Sequence, residues 1–322
     1  MYGSRVARYA WSVLVFNIAV IVWGAFVRAS GSGAGCGRHW PLCNGTVLPR
    51  APRIETLVEL THRTTSGVAL LLVVALAAWC WRAFPRRHPA RVGAAAALFF
   101  ILTEAGVGAG LVLLEMVARN QSLARVAWLS IHLVNTFLLV AALTLTAWWA
   151  SGGGAVHLRS GGRARWALAA GLAGAIAVGV TGAIAALGDT LFPSASLADG
   201  FRNDFAPAAH LVLRLRVLHP VLAASVGLYL LVTATVLAAR RSDHATRTLA
   251  RLVGAAVLVQ WAMGTANLLL LAPIWSQLTH LLLADVLWVA LVLLSAAALS
   301  GAAAAVTPAP LRDAPAPALE RR

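Results

Sequence analysis

The chain has 322 residues, of which 60% are hydrophobic and only 11% charged, with a formal net charge of +15. That balance excludes a disordered chain, and three cysteines exclude a secreted disulfide scaffold. The 26 basic residues are all arginine and fall mostly in short stretches between apolar runs, which marks them as topology signals rather than a nucleic-acid patch.

Eight apolar runs follow in chain order: 9–27, 57–81, 92–114, 126–149, 166–187, 213–239, 249–272 and 274–299. Each is near the ~20 residues that a helix needs to cross the hydrocarbon core. The first reads as a span rather than a cleaved signal, because it is long, no small-residue cleavage pattern follows, and seven further spans come after it. With the N-terminus inside, the inner stretches carry sixteen arginines, among them Arg5, Arg8, Arg82, Arg86, Arg87, Arg91, Arg163, Arg165, Arg240 and Arg241. The positive-inside rule then places both termini in the cytoplasm of a cell-membrane protein. Outer loops near 28–56 and 188–212 are long, and the first holds Cys36 and Cys43.

The two halves correspond at an offset near 157 residues. Gly24-Ala25 matches Gly182-Ala183, Glu59-Leu60-Thr61-His62 matches Arg216-Val217-Leu218-His219, Glu104 and Gly108 match Gln260 and Gly264, and Ile131-His132-Leu133 matches Thr279-His280-Leu281. The expected fold is therefore all-α and integral to the membrane, with eight transmembrane helices as two tandem-duplicated four-helix bundles. Residues 1–150 form the first bundle, 151–165 a cytoplasmic linker, 166–306 the second bundle, and 307–322 a Pro/Ala-rich disordered tail.

Four of the nine histidines lie inside spans: His62, His132, His219 and His280. All four spans run from outside to inside, so at ~1.5 Å per residue the four imidazoles share one depth near the outer surface. Ionisable residues in spans are costly and mark function. A proton relay, a zinc site and a haem site all use imidazole. Zinc wants three or four ligands converging on one point. The repeat instead pairs His62 with His132 and His219 with His280, and two axial nitrogens facing across a bundle suit haem iron. Gly67, Gly106, Gly108, Gly110 and Gly264 are candidates for making room for a flat ring, and Arg63, Arg214 and Arg216 for pairing with its propionates.

The halves differ three residues before the first histidine of each pair, where Glu59 precedes His62 and Arg216 precedes His219. At i, i+3 each shares a helix face with its histidine. A carboxylate can move protons or stabilise positive charge, whereas an arginine only anchors. The first half then does chemistry and the second holds a fixed cofactor. The plainer alternative is that Glu59 simply pairs with Arg63 at i, i+4.

These residues resemble the haem A synthase family of integral membrane proteins. The resemblance is carried by Gly24 to Gly33, by Trp40-Pro41-Leu42 between Cys36 and Cys43, and by Glu59-Leu60-Thr61-His62-Arg63. In the second half Thr181-Gly182-Ala183, Leu187 to Pro193, Asp204-Phe205, Leu218-His219-Pro220 and Thr279-His280-Leu281 carry it. It implies oxidation of the methyl group of haem O to the formyl group of haem A by successive hydroxylations, for cytochrome oxidase maturation. It implies the substrate at His62 and His132, resident haem b at His219 and His280, and an essential Glu59. Expected partners are the enzyme that makes haem O, an unidentified quinol or thiol electron donor and the lipid bilayer, with no nucleic acid. The sequence departs from the family in having Glu104 where Gln is usual, and no second cysteine pair in the third outer loop. Cys36 and Cys43, in a loop facing an oxidising compartment, are expected to form a disulfide, structural or reducible, with Cys80 a free thiol. The alternatives to an oxidoreductase are a di-haem b electron-transfer protein, which has no need of a carboxylate beside one haem only, and a haem-delivery protein.

Overall fold

A computed structural model describes residues 2–157, 162–241 and 243–300, so the tail expected from 307 lies outside the described residues. Ten α-helices follow one another: α1 (Tyr2–Ala29), α2 (Ile54–Ala83), α3 (Pro89–Leu113), α4 (Leu123–Ala150), α5 (Gly162–Leu191), α6 (Leu197–Phe205), α7 (Leu211–Arg216), α8 (Leu218–Arg240), α9 (His244–Leu269) and α10 (Ile274–Leu299). No strand occurs among the described residues, only two isolated bridges. Eight helical stretches are long and apolar enough to cross a membrane, with α7 and α8 together forming one of them. Leu71, Val92, Phe99, Leu228 and Leu258 are all more than half exposed. Such outward apolar side chains suit lipid and not water, so the chain is a multi-pass membrane protein.

The expected eight spans are all present, and most extend a few residues beyond the apolar runs. The connection 192–210, expected as a loop, contains the short helix α6, whose N-cap Ser196 accepts the amide of Asp199. The sixth span is interrupted at Val217. Pro220 has no N–H to give to the carbonyl of Arg216 four residues back, so the helical ladder breaks there.

In the first half, α1 and α3 each pack against both α2 and α4. In the second, α5 and α9 each pack against both α8 and α10. The histidine-bearing helices are thus the diagonal members of each set of four, facing across its centre. One core unites α1–α4 with Trp288 and Val292 of α10, and a second gathers α5, α8, α9 and α10. The two sets meet along α4 and α10, where Trp288 Nε1 donates to the carbonyl of Phe137 at 2.9 Å and the rings lie 4.9 Å apart.

One face carries the connections 30–53, 114–122, 192–210 and 270–273, among them the two longest; the opposite face carries 84–88, 151–161 and 241–243. His62, His132, His219 and His280 stand eight, nine, eight and six residues beyond span starts at Ile54, Leu123, Leu211 and Ile274, all at the long-loop face. At ~1.5 Å per residue their depths agree to within about 5 Å.

Candidate functional site

The second-half pair is the simpler. The rings of His219 and His280 face each other with centroids 6.3 Å apart and planes at 82°. With metal–imidazole bonds of ~2 Å and a ring nitrogen ~1 Å from its centroid, two axial ligands on one iron have centroids ~6 Å apart. Nδ1 of His280 is buried and lacks a partner, and Nδ1 of His219 lies 3.3 Å from the Thr181 hydroxyl. Glycines leave space against both rings. A Cβ at Gly182 would sit 2.9 Å from Cε1 of His219, and one at Gly264 would sit 3.0 Å from Cε1 of His280. The donor set, the ring spacing and these two cradles fit a bis-histidine haem.

The first-half pair shares part of this pattern. A Cβ at Gly24 would stand 2.8 Å from Cε1 of His62, the counterpart of the Gly182 contact. His132 is supported differently: Glu104 Oε1 lies 3.4 Å from its Nδ1, near enough for an ion pair though not aligned as a hydrogen bond. Glu104 is itself fixed, accepting from Asn135 Nδ2 and Thr136 Oγ1, each at 2.5 Å. At the matching place Gln260 reaches the backbone carbonyl of His280 at 3.1 Å and leaves the ring alone. Of the other glycines, Gly67, Gly106 and Gly108 border open space, while Gly110 makes room for Trp128. Among the described residues no group of three or more His, Cys, Asp or Glu could hold a metal ion, so the four histidines do not converge as a zinc site.

Glu59 is 3% exposed, and both of its oxygens are engaged. Oε2 accepts the backbone N–H of Cys36 at 2.8 Å, and Oε1 accepts from Arg63 Nη2 at 2.5 Å. Arg63 Nη1 in turn donates to the carbonyls of His39 and Leu42, so the cysteine loop closes over the carboxylate. The i, i+4 pair of Glu59 and Arg63 is therefore real, and it is one part of a larger network. Cys36 and Cys43 form the expected disulfide, with both residues at most 1% exposed, and Cys80 is a buried free thiol.

The same region of the second half carries the opposite charges. Arg216 Nη1 donates to Asp189 at 2.8 Å and Nη2 to Asp204 at 2.5 Å. In the first half the helix supplies the carboxylate and the loop supplies carbonyls and an amide; in the second the helix supplies the cation and two acids close on it. Arg63 and Arg216 are thus already bonded to carboxylates, and the exposed Arg214 donates to the Pro207 carbonyl.

Two arginines, Arg125 buried and Arg28 half-buried, belong to this region and were passed over as topology charges in the sequence. Arg28, one turn beyond Gly24, donates to the Ala186 carbonyl and the Thr190 hydroxyl at 2.7 Å and to Gln277 at 3.0 Å. Arg125, in the first turn of α4, donates through Nη1 to the carbonyls of Ala118 and Asn120, both at 2.7 Å. Their partners come from other helices or loops, which residue order alone does not display.

Comparison with known proteins adds to the geometry. Over 296 residues the chain is 51% identical to a protein of Thermus thermophilus named protoheme IX farnesyltransferase; the match covers 92% of this chain and 49% of that relative. The chain therefore spans about half the length of that relative. It is also 36% identical over 110 residues to the heme A synthase of an Exiguobacterium species, covering 34% of this chain and 36% of the relative. With the heme A synthase of Halalkalibacterium halodurans it shares 42% over 95 residues, 30% of this chain and 32% of the relative. Residues 7–292 match one family throughout, and the chain belongs to it: COX15-CtaA, the cytochrome oxidase assembly proteins.

Proposed function

We propose that the chain is a haem A synthase, an oxidoreductase that converts the methyl group of haem O to the formyl group of haem A by successive hydroxylations. His219 and His280 hold a resident haem b, which when bound supplies one-electron transfer. His62 and His132 hold the substrate, and Glu104 orients the His132 ring through Nδ1. Glu59 acts on the substrate's reacting edge, where a fixed carboxylate in a dry site stabilises developing positive charge or steers a proton. Arg63 and the Cys36 amide hold that carboxylate in place. On this reading each half is one functional unit of a tandem duplication, with the long-loop face external, both termini cytoplasmic and the protein in the cell membrane.

The observation that carries the reading is the asymmetry between two matched sites: a buried carboxylate, Glu59, beside His62, and an arginine, Arg216, already bonded to two acids beside His219. A di-haem electron carrier needs no such difference. The similarity to heme A synthases and the family membership support it independently.

The name of the Thermus relative favours a second reading, farnesyl transfer to protohaem IX. A prenyl diphosphate is ordinarily handled with Mg²⁺ held by carboxylates, and the described residues contain no cluster suited to a metal ion. The match covers about half of that relative, so the activity in its name is not tied to the matched part. It also supports a partnership between the enzyme that makes haem O and the one that consumes it.

The deciding experiment supplies haem O to purified wild-type protein and to Glu59→Gln, with a reductant and oxygen, and identifies the extracted haems by mass. Wild type is expected to yield haem A. Glu59→Gln is expected to bind both haems, because no axial ligand changes, and to yield little haem A. Conversion at the wild-type rate in the variant would remove Glu59 from the chemistry.

A further inference from the structure

Arg28 and Arg125 form an unusual pair. Arg125 is only 3% exposed, and its Nε is buried with no hydrogen-bond partner. Among the described residues, no carboxylate forms an ion pair with either guanidinium. Arg28 bonds to a carbonyl, a hydroxyl and an amide oxygen, and Arg125 to two carbonyls. Asp189 lies close enough for its charge to act on Arg28, but its carboxylate is already bonded to Arg216. Arg125 also acts on Arg28, so the two cations repel each other in a partly dry region. Leaving charges unpaired and removed from water is costly. Two such cations on the same side of the first histidine pair, each bonded only to neutral groups, mark a place prepared for an anion.

The position of the pair says which anion. Arg28 is i+4 from Gly24, the residue packed against His62, and therefore on the same face of α1. Arg125 precedes His132 by seven residues, two turns, and so shares its face of α4. Both residues lie on the long-loop side of the first histidine pair in their helices, the Arg28 guanidinium reaching across to α5 and α10. In the second half the positions that match Arg28 and Arg125 in the repeat are Ala186 and Pro273, so this pair of cations has no counterpart there.

We propose that Arg28 and Arg125 are a carboxylate clamp for the propionates of the tetrapyrrole bound between His62 and His132, fixing which edge of the ring faces Glu59. This rests on the substrate reading of the first-half site. A ring held by two axial nitrogens alone can rotate about the axis that joins them. Charge-assisted bonds to its propionates remove that freedom, so that one methyl group out of several is presented to the carboxylate.

The test uses the full-length protein purified with its resident haem. Ferric protohaem IX and its dimethyl ester, whose propionates are uncharged, are each titrated into the first-half site and followed by the low-spin bis-histidine absorption. Wild type is expected to prefer the free acid by about tenfold or more, the range of hydrogen bonds to charged groups. Arg28→Gln and Arg125→Gln are each expected to lower that ratio severalfold, and Arg125→Lys to keep more of it than Arg125→Gln. If Arg125 served only to order the 114–122 loop, acid and ester would weaken together and the ratio would stand, which overturns the clamp. Equal binding of acid and ester by wild type overturns it as well. The resident haem content reports folding in every variant; should Arg125→Gln lose it, Arg28→Gln and the wild-type ratio still decide. Binding that persists unchanged in His62→Ala overturns the underlying substrate reading. Binding that is lost in His62→Ala but indifferent to esterification overturns the arginine clamp alone.

Discussion

Glu104 on α3 and His132 on α4 approach to 3.4 Å between Oε1 and Nδ1, and this contact has no equivalent at His280, whose Nδ1 is buried without a partner. A carboxylate behind a ligating imidazole fixes the ring and raises its basicity. Glu104→Gln is therefore expected to weaken tetrapyrrole binding at the first pair by about tenfold or more and to raise the midpoint potential of the iron held there. The haem at His219 and His280 should keep its potential. Spectroelectrochemical titration of variant and wild type separates the two; an unchanged first-site potential would refute the positioning role of Glu104.

The glycine contacts give a steric test. A Cβ at Gly182 meets the His219 ring at 2.9 Å, closer than side chains normally approach, whereas a Cβ at Gly106 meets nothing within 4 Å. Gly182→Ala is expected to displace the ring and to lower the resident haem content of the purified protein at least severalfold. Gly106→Ala should leave it unchanged and add a little helix stability, roughly 0.5–1 kcal/mol. Haem-to-protein ratios by pyridine haemochrome assay give the comparison.

The disulfide joins residues seven apart and packs beneath the network on Glu59. Its chain-entropy contribution for so short a loop is about 2–3 kcal/mol. The Cys36→Ser, Cys43→Ser double variant should lower the thermal midpoint of the protein and reduce haem A formation through loss of order at Glu59. Both cysteines are at most 1% exposed, so in the folded protein a bulky water-soluble phosphine should reduce the bond far more slowly than it does after denaturation. Equal rates would show that the loop opens readily and favour the pair as a relay for electrons.

Topology is tested with reporter fusions. Fusions after residues 87 and 243 are expected to read cytoplasmic, and fusions after 45, 120 and 200 external. A cytoplasmic signal at 45 or 200 would reverse the sidedness assigned from the arginines.

The parts of the site visible in the sequence are those whose signals are local. Spans show as apolar runs, and histidine depth follows from counting residues along a helix of fixed rise. Glu59 and Arg63 could be paired on paper because they are i, i+4 on one helix. The partners of Arg216 lie 27 and 12 residues upstream, and those of Arg28 lie 158, 162 and 249 residues downstream. Nothing periodic connects such positions, so Arg28 reads as an ordinary span-end charge, and Arg216 reads as a partner for propionates rather than for two acids of its own chain. The short helix α6 was hidden for another reason: with nine residues and Asp199, Arg202 and Asp204 among them, it has no apolar stripe long enough to stand out.

The bond from Trp288 to the Phe137 carbonyl, with its tilted aromatic contact, lies on the two helices that carry His132 and His280. A helix turn is stiff, so the short stretches from Phe137 up to His132 and from Trp288 up to His280 transmit this joint to both sites. Bilayers differ in thickness, and a membrane protein responds by leaning or by letting its helices slide. Joined at its middle, this one favours leaning: in a thinner membrane α4 and α10 are expected to tilt together, keeping the distance between the two histidine pairs constant.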